Sequence, residues 1–425
     1  MRSHSLRGIG TVVLLAFAHS ASAQLAPRDS TLTRLIREAI SANPGLAAAA
    51  SRVRAAGARI RPAGALPDPN VMVGVMDLTL PGFAFRQSNF TEVDVQVDQA
   101  IPWPGTLAAR IHSASALGLA SRADAESRRR ALISRVTEAY YRLRYVITAR
   151  ETVARQQALL GTAIRTTLAQ YAGGVASQSD PLLARAAAAR LDADAAGLIA
   201  DEVVLRANLR ALRAVVGRDS IVVEPISLDE ASGVAHLADS AHIGPPPDLA
   251  RHPLVAEQRA LASAAGATVE AERLSGRPEF TVTGRYGARP LGADFFSAFI
   301  GVRVPLWAGA KQRELVRAAE ADAEAATNAV ADARVNIQRE WDELTAGATA
   351  SLEQLRILVE RVLPFTDAAL DAALRDYQTA HTNVANVLSA EGAAYRVRLD
   401  VARITSEHLT HLVMLEQFAT WEAAP

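Results

Sequence analysis

His408 and His411 stand three residues apart in a stretch of helical periodicity, so their imidazoles share a face and could hold a metal ion together. No third ligand accompanies them, because Glu407 points elsewhere on that helix. Met72 and Met76 fall on one face of a strand-like run, as thioether ligands for copper would, although packing within a strand is the simpler reading. Glu92, Asp94 and Asp98 alternate with Val93, Val95 and Val97, which sets carboxylates on one side of a strand and methyl groups on the other. The chain has no cysteine, which excludes disulfides, thiol catalysis, cysteine metal sites and a lipid anchor on a processed cysteine. Gly74-Val75-Met76 and Gly284-Arg285-Tyr286-Gly287 do not precede helices and are not phosphate loops. There is no serine elbow and no paired histidine–glutamate zinc motif. No residue set supports an enzyme, and neither a cofactor nor a resident metal is indicated.

The elements around these residues occur twice. Gln99-Ala100-Ile101-Pro102-Trp103-Pro104-Gly105 closes an alternating run and opens a helical one, and Val304-Pro305-Leu306-Trp307 stands at the same junction 203 residues later. Asn43-Pro44-Gly45-Leu46 is answered by His252-Pro253-Leu254, and Tyr171 by Tyr377. A unit of about two hundred residues is too long for a solenoid repeat and reads as a duplicated half-molecule. The first half is 24–217, a connector covers 218–247, and the second half is 248–425. Residues 1–23 read as a signal peptide, with Arg2 and Arg7, the apolar Ile9 to Ala18 and the cleavage pattern Ala21-Ser22-Ala23.

Each half reads as helix, strand, strand, long helix, turn, long helix. The first helix is expected from Ser30 to Arg61, and strands over Asn70–Leu80 and Thr91–Ile101. Thr106 to Ala172 carries no proline, and Leu132, Val136, Tyr140, Leu143 and Ile147 keep a coiled-coil spacing. Gly173-Gly174 ends it, and the returning helix opens at Ser179-Asp180-Pro181 and closes near Gly217. The connector is expected to be polar apart from Ile221-Val222-Val223, with a break at Gly244-Pro245-Pro246-Pro247. The second half repeats the order: helix Asp248–Leu274, strands Glu279–Gly287 and Asp294–Val304, helix Gly309–Tyr377, and a last helix ending near Phe418. Pro364 falls inside a long helix and should kink it or mark a stutter.

No run of eighteen apolar residues is present, so a membrane could be crossed only by strands. With 45 basic and 45 acidic residues the charge balance suggests no nucleic-acid partner. A strand of about ten residues, apolar on one face and charged on the other, is what a barrel with lipid outside and water inside requires. Four such strands are too few to close, but three copies would supply twelve. The fold expected is therefore an α+β membrane protein, with long antiparallel helical hairpins and strands shared in a common barrel whose lumen carries Glu92, Asp94 and Asp98. Trp103 and Trp307, beside the strand ends, fit interfacial anchors or packing between strands and helices. Val95→Arg on the lipid face should block assembly, whereas Asp94→Arg should fold and change only ion preference. A soluble periplasmic coiled-coil scaffold is the alternative, since antiparallel sheets often have one solvated face.

In these features the chain resembles the TolC-like outer-membrane efflux proteins, from about Ser30 to Phe418. The resemblance rests on the duplication, on the Asn-Pro-x-Leu and His-Pro-Leu openings, and on the strand ends at Pro102 and Pro305. It rests also on Tyr171-x-x-Gly174 with Asp180-Pro181-Leu182, and on Tyr377 with Asn383-Val384-x-Asn386-Val387-Leu388. It implies a homotrimer with a twelve-stranded barrel in the outer membrane and a helical tube through the periplasm. It also implies docking to a periplasmic adaptor that joins the duct to an inner-membrane pump of the RND type. The exit duct of a type I protein secretion system is the alternative within the class. Ala65-Leu66-Pro67-Asp68-Pro69 looks like the heavy-metal branch of Czc and Cus type. By the same resemblance Tyr171, Gly174, Asp180, Tyr377, Asn383 and Asn386 shape the periplasmic tip, its adaptor contact and its gate. Asn386 and Ser389 stand where the family often has aspartates, and Thr382 where it has an arginine, so an uncharged polar entrance is expected.

Overall fold

The computed structural model describes residues 29–78, 81, 85–86, 88–174, 177–217, 221–236, 248–307, 309–379 and 381–420. The signal peptide at 1–23 and the glycine–proline break at 244–247 lie outside them.

Two helices replace the single one expected at the start. α1 (Ser30–Ala42) is capped by Asp29, whose Oδ1 accepts from the Thr31 and Leu32 amides at 2.9 and 3.0 Å. α2 (Pro44–Ala63) is capped by Asn43, which accepts from the Gly45 amide at 2.8 Å and donates to the Leu212 carbonyl at 3.0 Å. The break falls there because an extended Asn43 caps best when a proline, with no N–H to leave unpaired, follows at the first helical position.

Strands β1 (Asn70–Met76) and β2 (Glu92–Ile101) lead into α3 (Thr106–Ala172), a 67-residue helix about 100 Å long. α4 (Ser179–Leu212) returns along it and stops before the expected Gly217. In the second half, a 3-10 turn at Leu249–Arg251 precedes α6 (Pro253–Ser275), so the expected helix start is again displaced to a proline. β3 (Glu279–Ala288) and β4 (Phe295–Arg303) follow, then α7 (Gln312–Ile357), a π-helical turn at Leu358–Val362, α8 (Leu363–Gln378) and α9 (Val384–Thr420). The π turn is the stutter expected from Pro364. The Leu363 amide bonds back to Leu358, one residue further than in an α-helix, just before a residue that cannot donate.

The connector is not merely polar. Ile221, Val223 and Ile226 are buried, and α5 (Leu228–His236) packs Ala231, Val234 and Ala235 inward. All of these but Ile226 join the largest core among the described residues, where Leu35 and Ala39 of α1 meet Val136, Tyr140 and Leu143 of α3, Leu355 of α7 and Val401 of α9. Arg144 of α3 pins the connector with a bidentate bond to Glu230 at 2.7 and 2.6 Å and a bond to the Glu224 carbonyl at 3.1 Å. The expected seam of α3 is thus its core face, halfway along the molecule.

Candidate functional site: an amphipathic sheet and a helical tip

The four strands form one antiparallel sheet in the order β1-β2-β3-β4. Val73 pairs with Val95, Val97 with Gly284, and Val282 with Ile300. Paired residues share a face, so Val71, Val73 and Val75 stand beside Val93, Val95 and Val97, then Val282 and Tyr286, then Phe296, Ile300 and Val302. All of these are exposed, Val73 at 72% and Ile300 at 78%. An apolar surface spanning a whole sheet is far larger than a water-facing surface tolerates. Among the described residues no helix is long and apolar enough to cross a membrane. The sheet has a lipid-compatible face.

The opposite face carries Glu92, Asp94, Gln96 and Asp98 beside Met72 and Met76 of β1, Thr283 and Arg285 of β3, and Ser297 and Phe299 of β4. Met72 and Met76 are exposed there rather than packed inside a strand layer. The carboxylates are not bare. Arg285 bonds both Glu92 and Asp94, Arg289 bonds Glu92, and Gln96 and Thr283 donate to Asp98. Asp94→Arg would therefore set a guanidinium against Arg285 in a buried position, and the tolerance expected of it does not fit this geometry. Arg285 and Arg289 escaped the sequence reading, although Thr281, Thr283 and Arg285 alternate with Phe280, Val282 and Gly284 and so signal the polar face. At the helical end of the apolar face, Trp103 stacks on Phe280 at 5.9 Å, while Trp307 is exposed.

The far end of the helices is the second candidate region. Gly174, at φ 72°, begins the turn after α3 in a conformation a side chain would resist. Asp180 lies in the first turn of α4, where a carboxylate suits the helix dipole, and its Oδ1 accepts from the Ser179 hydroxyl at 3.4 Å. Tyr377 of α8 donates to Gln170 Oε1 of α3 at 2.5 Å, which ties the two hairpin tips together. Burial, and then the nearby Asp180, push its phenol up. Asn383 accepts from the Asn386 amide at 3.1 Å, and Asn386 donates to Thr382 Oγ1 at 2.7 Å. Tyr377 thus meets Gln170 with the Asp180 charge nearby, and Asn383 meets Asn386. Tyr171 is exposed. Gln170, one residue before it, was missed.

His408 and His411 are turned to packing. His408 Nδ1 lies 3.0 Å from Ser351 Oγ and 3.1 Å from the Ala348 carbonyl, so α7 already occupies that nitrogen. The His411 ring covers Gly347, where an added Cβ would come within 2.8 Å of it.

The family model described as outer membrane efflux protein matches residues 35–218 and 247–419. The chain belongs to the outer membrane efflux protein family. Members of this family are outer-membrane channels extending into the periplasm, transport ducts rather than enzymes. The fold is similar to that of the outer-membrane channel OprN (20% identity, 92% of this chain and 90% of that one, TM-score 0.79). It is also similar to VceC of Vibrio cholerae (19%, 92% and 96%, 0.75) and to CusC (16%, 92% of each, 0.77). No curated protein matches the sequence.

Proposed function

We propose that this outer-membrane efflux channel is the exit duct of a tripartite system, in which three copies close one twelve-stranded barrel and one helical tube. The observation that carries the reading is a four-stranded sheet with an exposed apolar face and two edges, β1 and β4, each paired on one side only. In lipid, an open edge leaves N–H and C=O groups without partners at a cost of several kcal/mol each. Joining β4 of one copy to β1 of the next removes every edge, and twelve strands is an even number within the known range. The apolar face then meets lipid and the polar face, with Glu92, Asp94 and Asp98, encloses water. Leu182, Leu183, Val203 and Val335, exposed on the helices of one chain, would be covered by neighbouring copies. Tyr171, Gly174, Asp180, Tyr377, Asn383 and Asn386 form the entrance and the contact with a periplasmic adaptor. Conduction is passive, and an inner-membrane pump of the RND type supplies the energy.

The test is to extract the protein from outer-membrane fractions, measure its mass in detergent, and record conductance in a planar bilayer. A trimer that opens discrete channels is expected. A monomeric, non-conducting protein that leaves the membrane in salt washes would overturn the duct in favour of a periplasmic scaffold.

A further inference from the structure

The polar face of the sheet is more heavily built at one end than its carboxylate pattern requires. The strand ends furthest from the helices bring together Glu92 and Asp94 of β2, Arg285 of β3, Arg289 just beyond it, and Phe295 at the start of β4. Arg285 donates to Glu92 Oε1 at 2.5 Å and from Nε to Asp94 Oδ2 at 3.1 Å. Arg289 donates from Nε to Glu92 Oε2 at 3.2 Å. The Phe295 ring is the floor of the cluster, its centroid 4.5 Å from the Arg289 guanidinium carbon and 5.8 Å from that of Arg285. Gly287 makes room for it, since a Cβ there would lie 2.3 Å from the ring.

Burial orders the charges. The side chains of Glu92 and Asp94 are 6% and 10% exposed, those of Arg285 and Arg289 19% and 35%. Solvent on this face therefore meets guanidinium and phenyl before it meets carboxylate. Asp98, further along β2, is held by the neutral Gln96 and Thr283 instead.

We propose that Arg289, seated with Arg285 over the two carboxylates, sets the ion preference at the outer mouth of the duct by cancelling the charge of Glu92 and Asp94. The inference rests on the barrel reading above, which turns this face inward and triples the cluster into a collar. Rings of charged side chains on the low-dielectric wall of a water-filled passage bias which ions enter, so the uncancelled charge of the collar is what permeating ions sense. Removing Arg289 uncovers one side of Glu92 in each copy and leaves three excess negative charges around the mouth. Three charges about 10 Å from the axis, screened over a Debye length of about 10 Å in 0.1 M salt, change the cation-to-anion permeability ratio roughly fourfold.

The measurement is the permeability ratio of K+ to Cl− through the full-length protein in planar bilayers, in 0.1 M and in 1 M salt. R289Q is expected to raise the ratio roughly fourfold in 0.1 M salt and by much less in 1 M salt, where the Debye length falls to about 3 Å. R289K, which keeps the charge, restores the wild-type ratio, and E92Q moves it the opposite way, since it removes a negative charge and leaves Arg289 without its carboxylate while Arg285 keeps Asp94. If R289Q fails to assemble, R289K and E92Q still carry the test. A R289Q channel of ordinary conductance and unchanged ratio overturns the collar, as does an E92Q channel whose ratio does not fall. Absence of any channel from the wild-type protein would instead overturn the duct itself.

Discussion

A buried histidine shows best how a residue's chemistry depends on what lies opposite it. His408 and His411 look like a ligand pair in one dimension because only their mutual spacing is visible. Gly347 and Ser351, which meet them from α7, stand some sixty residues away in the chain, so no local pattern could reveal that the rings lock two helices together. Burial pushes the His408 imidazole down to about 4, and the nearby His411 charge adds to the effect, while the bond to Ala348 opposes it. The unfolded chain has the ordinary value near 6.5. Between those two values the unfolded state takes up a proton that the folded state refuses, so stability falls as pH drops from about 6.5 toward 4. For His408 the loss reaches about 2.5 kcal/mol by pH 4.5. His252, pushed down to about 4 by burial and by Arg130, acts in the same direction. Thermal unfolding in detergent, followed by circular dichroism from pH 7.5 to 4.5, should show this slope, and His408→Asn should flatten part of it. A variant whose melting temperature follows pH as steeply as wild type would remove His408 from the account.

At the scale of elements, the long helices and strands were legible because their periods run for ten residues or more. Their interruptions were not. Asn43-Pro44 is plain in the sequence as a repeat marker, yet it divides a continuous helical pattern whose apolar face runs through both parts. Only the cap geometry shows that the chain turns there. α5 escaped because its inward residues are small and its segment short, and because burial of Ala231, Val234 and Ala235 depends on the distant Leu355 and Val401. The Asn43 cap gives a direct measure of such a junction. Its carboxamide serves two sides at once, accepting from α2's first turn and donating to the Leu212 carbonyl where α4 ends. Asn43→Ala should cost about 1–2 kcal/mol, the usual loss for a helix cap with some allowance for the stranded carbonyl. Asn43→Asp keeps the acceptor and loses the donor, so it should fall between wild type and alanine. Chemical denaturation of the three proteins would rank them, and an aspartate variant no better than alanine would show that the Leu212 bond matters more than the cap.

For the whole molecule, the duplication and the alternating strands already pointed to a sheet that a single chain cannot complete. What they left open was which side chains oppose one another across strands, and hence how the charges on the polar face are paired. The register supplies that, and it also yields a sharper test of facing than Val95 and Asp94 do, because Asp94 is tied to Arg285. Val73 and Met72 are neighbours in the middle of β1, both exposed and facing opposite ways. An arginine on the lipid side of a barrel costs about 2–4 kcal/mol near the midplane, and trimer formation would incur it three times. The same side chain on the water side faces no such penalty, since its guanidinium stays hydrated. Val73→Arg should therefore sharply reduce the trimer recovered from the outer-membrane fraction, while Met72→Arg should assemble at near wild-type yield. Position, strand, neighbour and added charge are otherwise matched, so the contrast isolates the solvent each face meets. Equal yields would mean that the apolar face does not contact lipid, and the exposed valines of β1 and β2 would then have to be covered by protein.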